Sequence, residues 1–272
     1  MTTITADERR GPGGGRGPGE RRVPRWGGFS AGMLALELRR MARNRRTVVF
    51  TVIMPPVFFL LFGSNADYRS TRAGEGNLTA FVLVSMAVYG AMLACTAGGA
   101  MVSVERAVGW SRQLRLTPLT PAAYVAVKLV LAMVVGAVSV VATFVVGSFA
   151  GADMPVSAWV GCGLLAWVCA LVFAAFGLFM GYLLPSENVM QVLGPVLAVL
   201  SFAGGLFVPV DSLGHVFATV ARFTPAYGVG VLARAPLAHE GELWVAVLNV
   251  VAWTALFAAG AMWRFRKDTA RV

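Results

Sequence analysis

Long apolar runs constrain this chain more than any other feature. They occupy residues 78–102, 122–149, 157–184 and 243–263, with shorter ones at 47–63 and 189–208. The longest reach or exceed the roughly 20 residues that a helix needs to cross a bilayer. None alternates polar and apolar residues in segments of about ten, as a transmembrane β-barrel would. Composition agrees. The chain is 57% hydrophobic and 13% charged, where soluble domains carry about 25% charged residues. The expected class is an all-α membrane protein with six transmembrane helices over residues 47–264.

The flanks of these runs orient them. Eleven of the 23 Lys and Arg residues precede the first run. Four more lie in the 103–128 connector and its margin (Arg106, Arg112, Arg115, Lys128), and four in the tail (Arg264, Arg266, Lys267, Arg271). The opposite side carries Arg69, Arg72, Arg222 and Arg234. Basic residues collect on the cytoplasmic side of short loops, so both termini are expected in the cytoplasm, at a plasma membrane. Residues 1–28 are glycine-, proline- and arginine-rich and read as a disordered basic tail with no signal-peptide core. Residues 29–46 carry Ala31, Leu34, Leu38 and Met41 at helical spacing. They read either as an amphipathic helix at the inner leaflet or as an ordinary flanking positive cluster. Residues 265–272 form a short cytoplasmic tail. The double proline Pro55-Pro56 predicts a kink in the first span.

Two stretches break the apolar pattern. The connector 103–121 carries Glu105, Arg106, Arg112 and Arg115 beside Leu114, Leu116 and Leu119, and Thr117-Pro118 ends it, because proline cannot continue a helix. Its apolar and basic sides suit docking of a soluble partner. The second stretch, 209–242, is too polar to span. Phe223-Thr224-Pro225-Ala226-Tyr227 divides it into two expected short helices that dip back from the outer side, the alternative being a surface loop with one amphipathic helix.

Candidate chemistry is sparse. Neither Lys128 nor Lys267 follows a glycine-rich phosphate cradle, so no nucleotide site is expected on this chain. His239-Glu240 lacks the second histidine of a zinc protease motif. Cys95, Cys162 and Cys169 lie in apolar runs without metal-ligand spacing. All 13 acidic residues fall outside the span centres, which speaks against proton or sodium coupling. Basic charge in so apolar a chain points to membrane lipid, not to nucleic acid. A membrane body without an energy source, but with a docking connector, reads as a transport subunit driven by another chain. A non-transporting immunity or scaffold protein is the alternative.

Glu105-Arg106, Gly109, Leu116-Thr117-Pro118-Leu119, then Tyr124 and Lys128, resemble the signature of ABC-2 type permeases, the membrane subunits of ATP-binding-cassette exporters. Asn188, Gly194-Pro195, Gly204-Gly205-Leu206-Phe207-Val208-Pro209 and Phe223-Thr224-Pro225 extend the resemblance, although Thr224 stands where the family more often has asparagine. The resemblance implies a pair of six-span subunits, each resting its first cytoplasmic loop on a separate ATPase that carries the ATP and magnesium. Glu105, Arg106, Gly109, Arg112, Leu116, Thr117 and Pro118 would form the coupling element. The second and fifth spans would line the path, with Met86, Tyr89, Phe202 and Phe207 as candidates. Thr224 and Pro225 would mark the re-entrant region. No cofactor, metal or catalytic residue is implied on this chain. The short loops look more like the drug-efflux branch, with a hydrophobic antibiotic, drug or lipid as cargo, than like a permease for a lipid-linked glycan.

Overall fold

In the computed structural model, residues 31–109, 121–208, 214–238 and 241–270 are described. The basic tail and four of the expected coupling residues, Arg112, Leu116, Thr117 and Pro118, lie outside them.

The chain enters through α1 (Ala31–Arg43). Leu34 and Leu38 are half-buried and Met41 is buried, while Leu36 is exposed, so the expected apolar stripe faces the body. Helix α1 stops at Asn44, whose side chain accepts from the Thr47 amide at 3.3 Å and starts the short α2 (Arg45–Val48). A π-turn follows at Val49–Ile53, closed by the Met54 amide on the Val49 carbonyl, and then α3 (Met54–Gly63). The cause is local. Pro55 and Pro56 have no amide hydrogens, and their rings crowd the carbonyls four residues earlier, so the helix widens before them. Thr51 returns its hydroxyl to the Thr47 carbonyl at 2.8 Å.

Helix α4 (Ala66–Ser70) and a two-stranded antiparallel ladder, β1 (Arg72–Ala73) with β2 (Gly76–Asn77), lead into α5 (Leu78–Ala107). With 30 residues, α5 is about 45 Å long at 1.5 Å per residue. It is the central post, and most of its apolar window is enclosed by other helices. Its neighbours approach through small residues. A Cβ on Gly177 would meet the Thr96 carbonyl oxygen at 2.2 Å, and one on Gly99 the Ala174 oxygen at 2.5 Å. Between lipid-embedded helices such close backbone packing replaces the hydrophobic drive that water supplies to soluble folds.

Helices α6 (Pro121–Phe149), α7 (Val156–Cys169) and α8 (Leu171–Leu183) follow, the last two joined through Ala170. The Trp167 indole donates to the Met133 carbonyl at 2.7 Å and ties α7 to α6. Helix α9 (Val189–Ala203) contains Pro195 and ends at Gly204. Then come α10 (His215–Ala221) and α11 (Pro225–Arg234), bent by 93° to one another, and α12 (Leu243–Ala270).

Four described helices are long and apolar enough to cross a membrane: Leu78–Ala107, Ala123–Phe149, Val156–Leu183 and Leu243–Lys267, with a fifth if the bent α10–α11 pair counts as one span. The expected first and fifth spans are shorter apolar helices, Val49–Gly63 and Gln191–Ala203. The stretch 209–242 does divide into two short helices at Phe223-Thr224-Pro225. Thr224 serves as the N-cap of α11, accepting from the Tyr227 amide at 3.4 Å, with Pro225 at the first helical position. Threonine therefore supplies the capping oxygen that asparagine also could.

Candidate coupling site

The C-terminal end of α5 gathers charge that the sequence scatters. Tyr124 and Lys128 are four residues apart on α6 and share one face. Glu105 sits in the last turns of α5. Its carboxylate accepts from the Tyr124 hydroxyl and from the Lys128 ammonium. The same ammonium lies 3.1 Å from Glu37 Oε1 on α1, and Arg40 reaches within 3.9 Å of Glu105. Lys128 is fully buried and Glu105 is 2% exposed. Taking such groups out of water is costly unless each is paired and hydrogen-bonded. Here one lysine and two carboxylates, with Arg40 nearby, satisfy that demand across three helices.

Arg106 turns the other way. Its guanidinium donates to the carbonyls of Gly181 (3.2 Å) and Tyr182 (3.0 Å) and stacks over the Tyr182 ring at 5.6 Å. Those carbonyls end α8, where a cation meets the negative end of the helix dipole. Tyr182 in turn packs edge-on against Phe265 of α12. Gly109 closes α5 at φ +72°, its amide donating to the Arg106 carbonyl at 3.1 Å. A left-handed residue just past the helix is the usual role of such a glycine. Among the described residues a Cβ there would touch nothing within 4 Å, so the left-handed backbone is the observed reason for glycine.

Thus the structure puts Glu105 and Arg106 inside the root of the connector, where they brace α5 against α1, α6 and α8. Sequence reasoning missed Glu37 and treated Lys128 as a loop-margin charge. The available signal was slight: Lys128 is one of two lysines among 23 basic residues, and Glu37 is the one acid in α1.

Beside this cluster lies a cavity of about 850 Å³ between α1, the π-turn, α3, α5 and α9. Apolar side chains line most of it, including Phe58, Leu93, Met101 and Leu197, while Glu37, Arg40, Arg43 and Asn44 lie towards one end. Of the four expected path residues, Tyr89 lines it. Phe207 stacks edge-on upon Tyr89 with centroids 5.0 Å apart. Met86 is buried in the core, and Phe202 is 48% exposed on α9.

The N-terminal end of α5 is held differently. Asn77 caps α5, accepting from the Ala80 and Asp153 amides at 2.9 and 3.1 Å and donating to the Gly151 carbonyl at 2.9 Å. Its side chain, part of an Asn-Leu-Thr glycosylation pattern, is spent on these bonds and buried. Arg234, counted from sequence as an outer-side charge, is also buried. It donates to Ser85 Oγ at 3.1 Å and the Gly205 carbonyl at 3.4 Å, and lies over the Phe81 ring at 4.8 Å.

The family model described as ABC-2 type transporter matches residues 32–235, from α1 through α11. The chain belongs to the ABC-2 type transporter family. A relative in Bacillus subtilis (strain 168), named "Putative transport permease YvfS", is 28% identical over 240 residues, covering 86% of this chain and 96% of that protein. The family's membrane subunits are transport proteins that associate with an ATP-binding-cassette ATPase. The chain is therefore a membrane-embedded ABC-2 permease.

Proposed function

We propose that this permease is the membrane subunit of an exporter that moves a hydrophobic small molecule, such as an antibiotic, drug or lipid, out of the cell. ATP and magnesium are held by the separate ATPase. Two permease copies pair, and each docks residues 103–121 on an ATPase subunit. The observation that carries this reading is the junction of Glu105, Tyr124 and Lys128. It locks both ends of the connector, the close of α5 and the start of α6, into one unit. A push on the connector then reaches the helix beside the Tyr89 cavity. Arg112, Leu116, Thr117 and Pro118 supply the docking surface, and Glu105, Arg106 and Gly109 set its base.

We read six spans with both termini cytoplasmic. Arg45 to Gly63, counted through the π-turn, extends about 28 Å at 1.5 Å per residue, close to the roughly 30 Å hydrocarbon core. Helix α9 has 15 residues and reaches about 22 Å. The chain after it packs under α11, where a Cβ on Gly204 would meet Ala226 Cβ at 2.5 Å. Irregular backbone at membrane depth is tolerated when protein covers it, which supports a re-entrant α10–α11. At the end of α12, Arg264 and Lys267 lie over the Trp263 ring at 5.8 and 5.1 Å. That aromatic and basic pairing suits an inner-leaflet interface.

The test is co-purification of the full chain with its ATPase, followed by a panel of hydrophobic compounds against ATP hydrolysis in proteoliposomes. Stimulation by an antibiotic or lipid, together with labelling of Arg72→Cys in intact cells and of Arg112→Cys after permeabilisation alone, is expected. A permease that leaves hydrolysis unchanged, or the reverse labelling pattern, overturns the reading.

A further inference from the structure

We propose that Lys128 is a positioning residue that yokes the N-terminal helix α1 to the α5–α6 junction, so that α1 travels with the connector as one body during transport. This rests on the permease reading above.

The covalent link does not fix where α1 points. The helix is interrupted at Asn44 and again at the π-turn Val49–Ile53, and such breaks are where helices bend. Its apolar attachment is partial: Met41 is buried and Leu34 and Leu38 are half-buried, while Leu36 is 70% exposed. Charge also reaches across to the body. Glu37 Oε1 lies 3.1 Å from Lys128 Nζ, and Arg40 Nη1 lies 3.9 Å from Glu105 Oε1. These contacts run in opposite senses: α1 offers an acid to the body's lysine and a base to the body's acid. Sliding α1 by one turn along its axis would move it about 5.4 Å and break both. The enclosed Lys128–Glu37 pair therefore fixes register as well as proximity, the best-attested use of buried ion pairs, while Arg40, whose side chain is 54% exposed, adds the smaller share of a solvent-screened contact. Glu37 and Arg40 also line the cavity of Tyr89. Holding α1 to the junction thus keeps that end of the cavity's wall in step with the connector.

The full chain is labelled with spin probes at Ala35→Cys on α1 and Ala126→Cys on α6, both at exposed positions. The free, buried Cys95, Cys162 and Cys169 are first replaced by alanine. Distances are measured in lipid nanodiscs, for the permease alone and for its ATPase complex, resting and trapped with ATP and vanadate. With labelled chain diluted in excess unlabelled chain, so that one copy of a pair carries the probes, a single narrow intramolecular distance is expected, unchanged by trapping. Glu37→Gln, which keeps shape and lets Lys128 retain Glu105, broadens it, and Glu37→Asp keeps it narrow. Glu37→Gln also lowers permease-stimulated hydrolysis by about fivefold or more, the lower end of usual coupling between sites. A distribution untouched by Glu37→Gln, or a wild-type distance that changes on trapping, overturns the yoke. If no ATPase is stimulated, the permease reading falls, while the distances in the resting chain still decide the yoke.

Discussion

The two ends of α5 are gripped by different chemistry. The C-terminal end is ionic: Glu105 meets Lys128, Lys128 meets Glu37, and Tyr124 donates into the pair. The N-terminal end rests on shaped dipoles. Asn77 caps the helix, and Arg234 reaches a serine hydroxyl, a carbonyl and an aromatic face. Ion pairs in a low-dielectric site are strong but conditional, since losing one partner strands the other. Dipole contacts are weaker singly and fail more gradually. The ionic grip is therefore the one that a single substitution can undo, and the dipolar grip the one that loosens by degrees.

The largest expected effect comes from removing the ionic hub. Lys128→Met strands buried Glu105 and leaves Glu37 without its ammonium, at a cost of about 3–5 kcal/mol, as when one member of a buried pair is deleted. Thermal unfolding of the detergent-solubilised chain, read by size-exclusion fluorescence, should show a marked loss. Lys128→Met combined with Glu105→Leu should recover most of that stability, because replacing both buried partners by apolar groups is often neutral. It should not recover permease-stimulated ATP hydrolysis. Recovery of both would reduce the cluster to packing.

A smaller loss is expected at the N-terminal end of α5. Arg234→Met removes the bonds to Ser85 and Gly205 but leaves acceptors that other groups or water can satisfy, so about 1–3 kcal/mol is at stake. The same thermal assay should rank it below Lys128→Met, and co-purification with the ATPase should be unaffected. If Arg234→Met proves the more damaging, the contrast between the two ends is inverted.

Much of the fold was legible because membranes impose a coarse rule: apolar length reports helices. The runs at 78–102, 122–149, 157–184 and 243–263 all fall on long helices, and the proline pair at Pro55-Pro56 foretold the distortion before α3. The break at Phe223-Thr224-Pro225 was also readable, because capping and proline placement are local chemistry. Contacts between helices were not. Gly177 and Gly181 are two of 31 glycines, and nothing in the residues themselves says that they lie on Thr96 and Ala100. Likewise Lys128, Glu105 and Glu37 lie on three helices, and their meeting follows only from the packing of α1, α5 and α6. Charge counting treats Lys128 and Arg234 as loop charges, yet both are buried.

The smallest effect is expected where α5 ends. Gly109 holds φ +72° with no described residue within 4 Å of its Cβ position, so Gly109→Ala meets no described neighbour and acts through the backbone. A left-handed conformation costs a non-glycine residue about 1 kcal/mol, which helix fraying or a shifted cap can partly relieve. Thermal stability should therefore fall less than for Arg234→Met. Coupling should be more sensitive than stability, because the residue sets the direction in which the chain leaves α5 towards Arg112 and Pro118. Permease-stimulated ATP hydrolysis measured beside the melting curve separates the two. Gly109→Asn, which tolerates the left-handed region better than alanine, should lie between wild type and Gly109→Ala in both assays. If asparagine and alanine behave alike, the angle at Gly109 does not matter to the ionic grip.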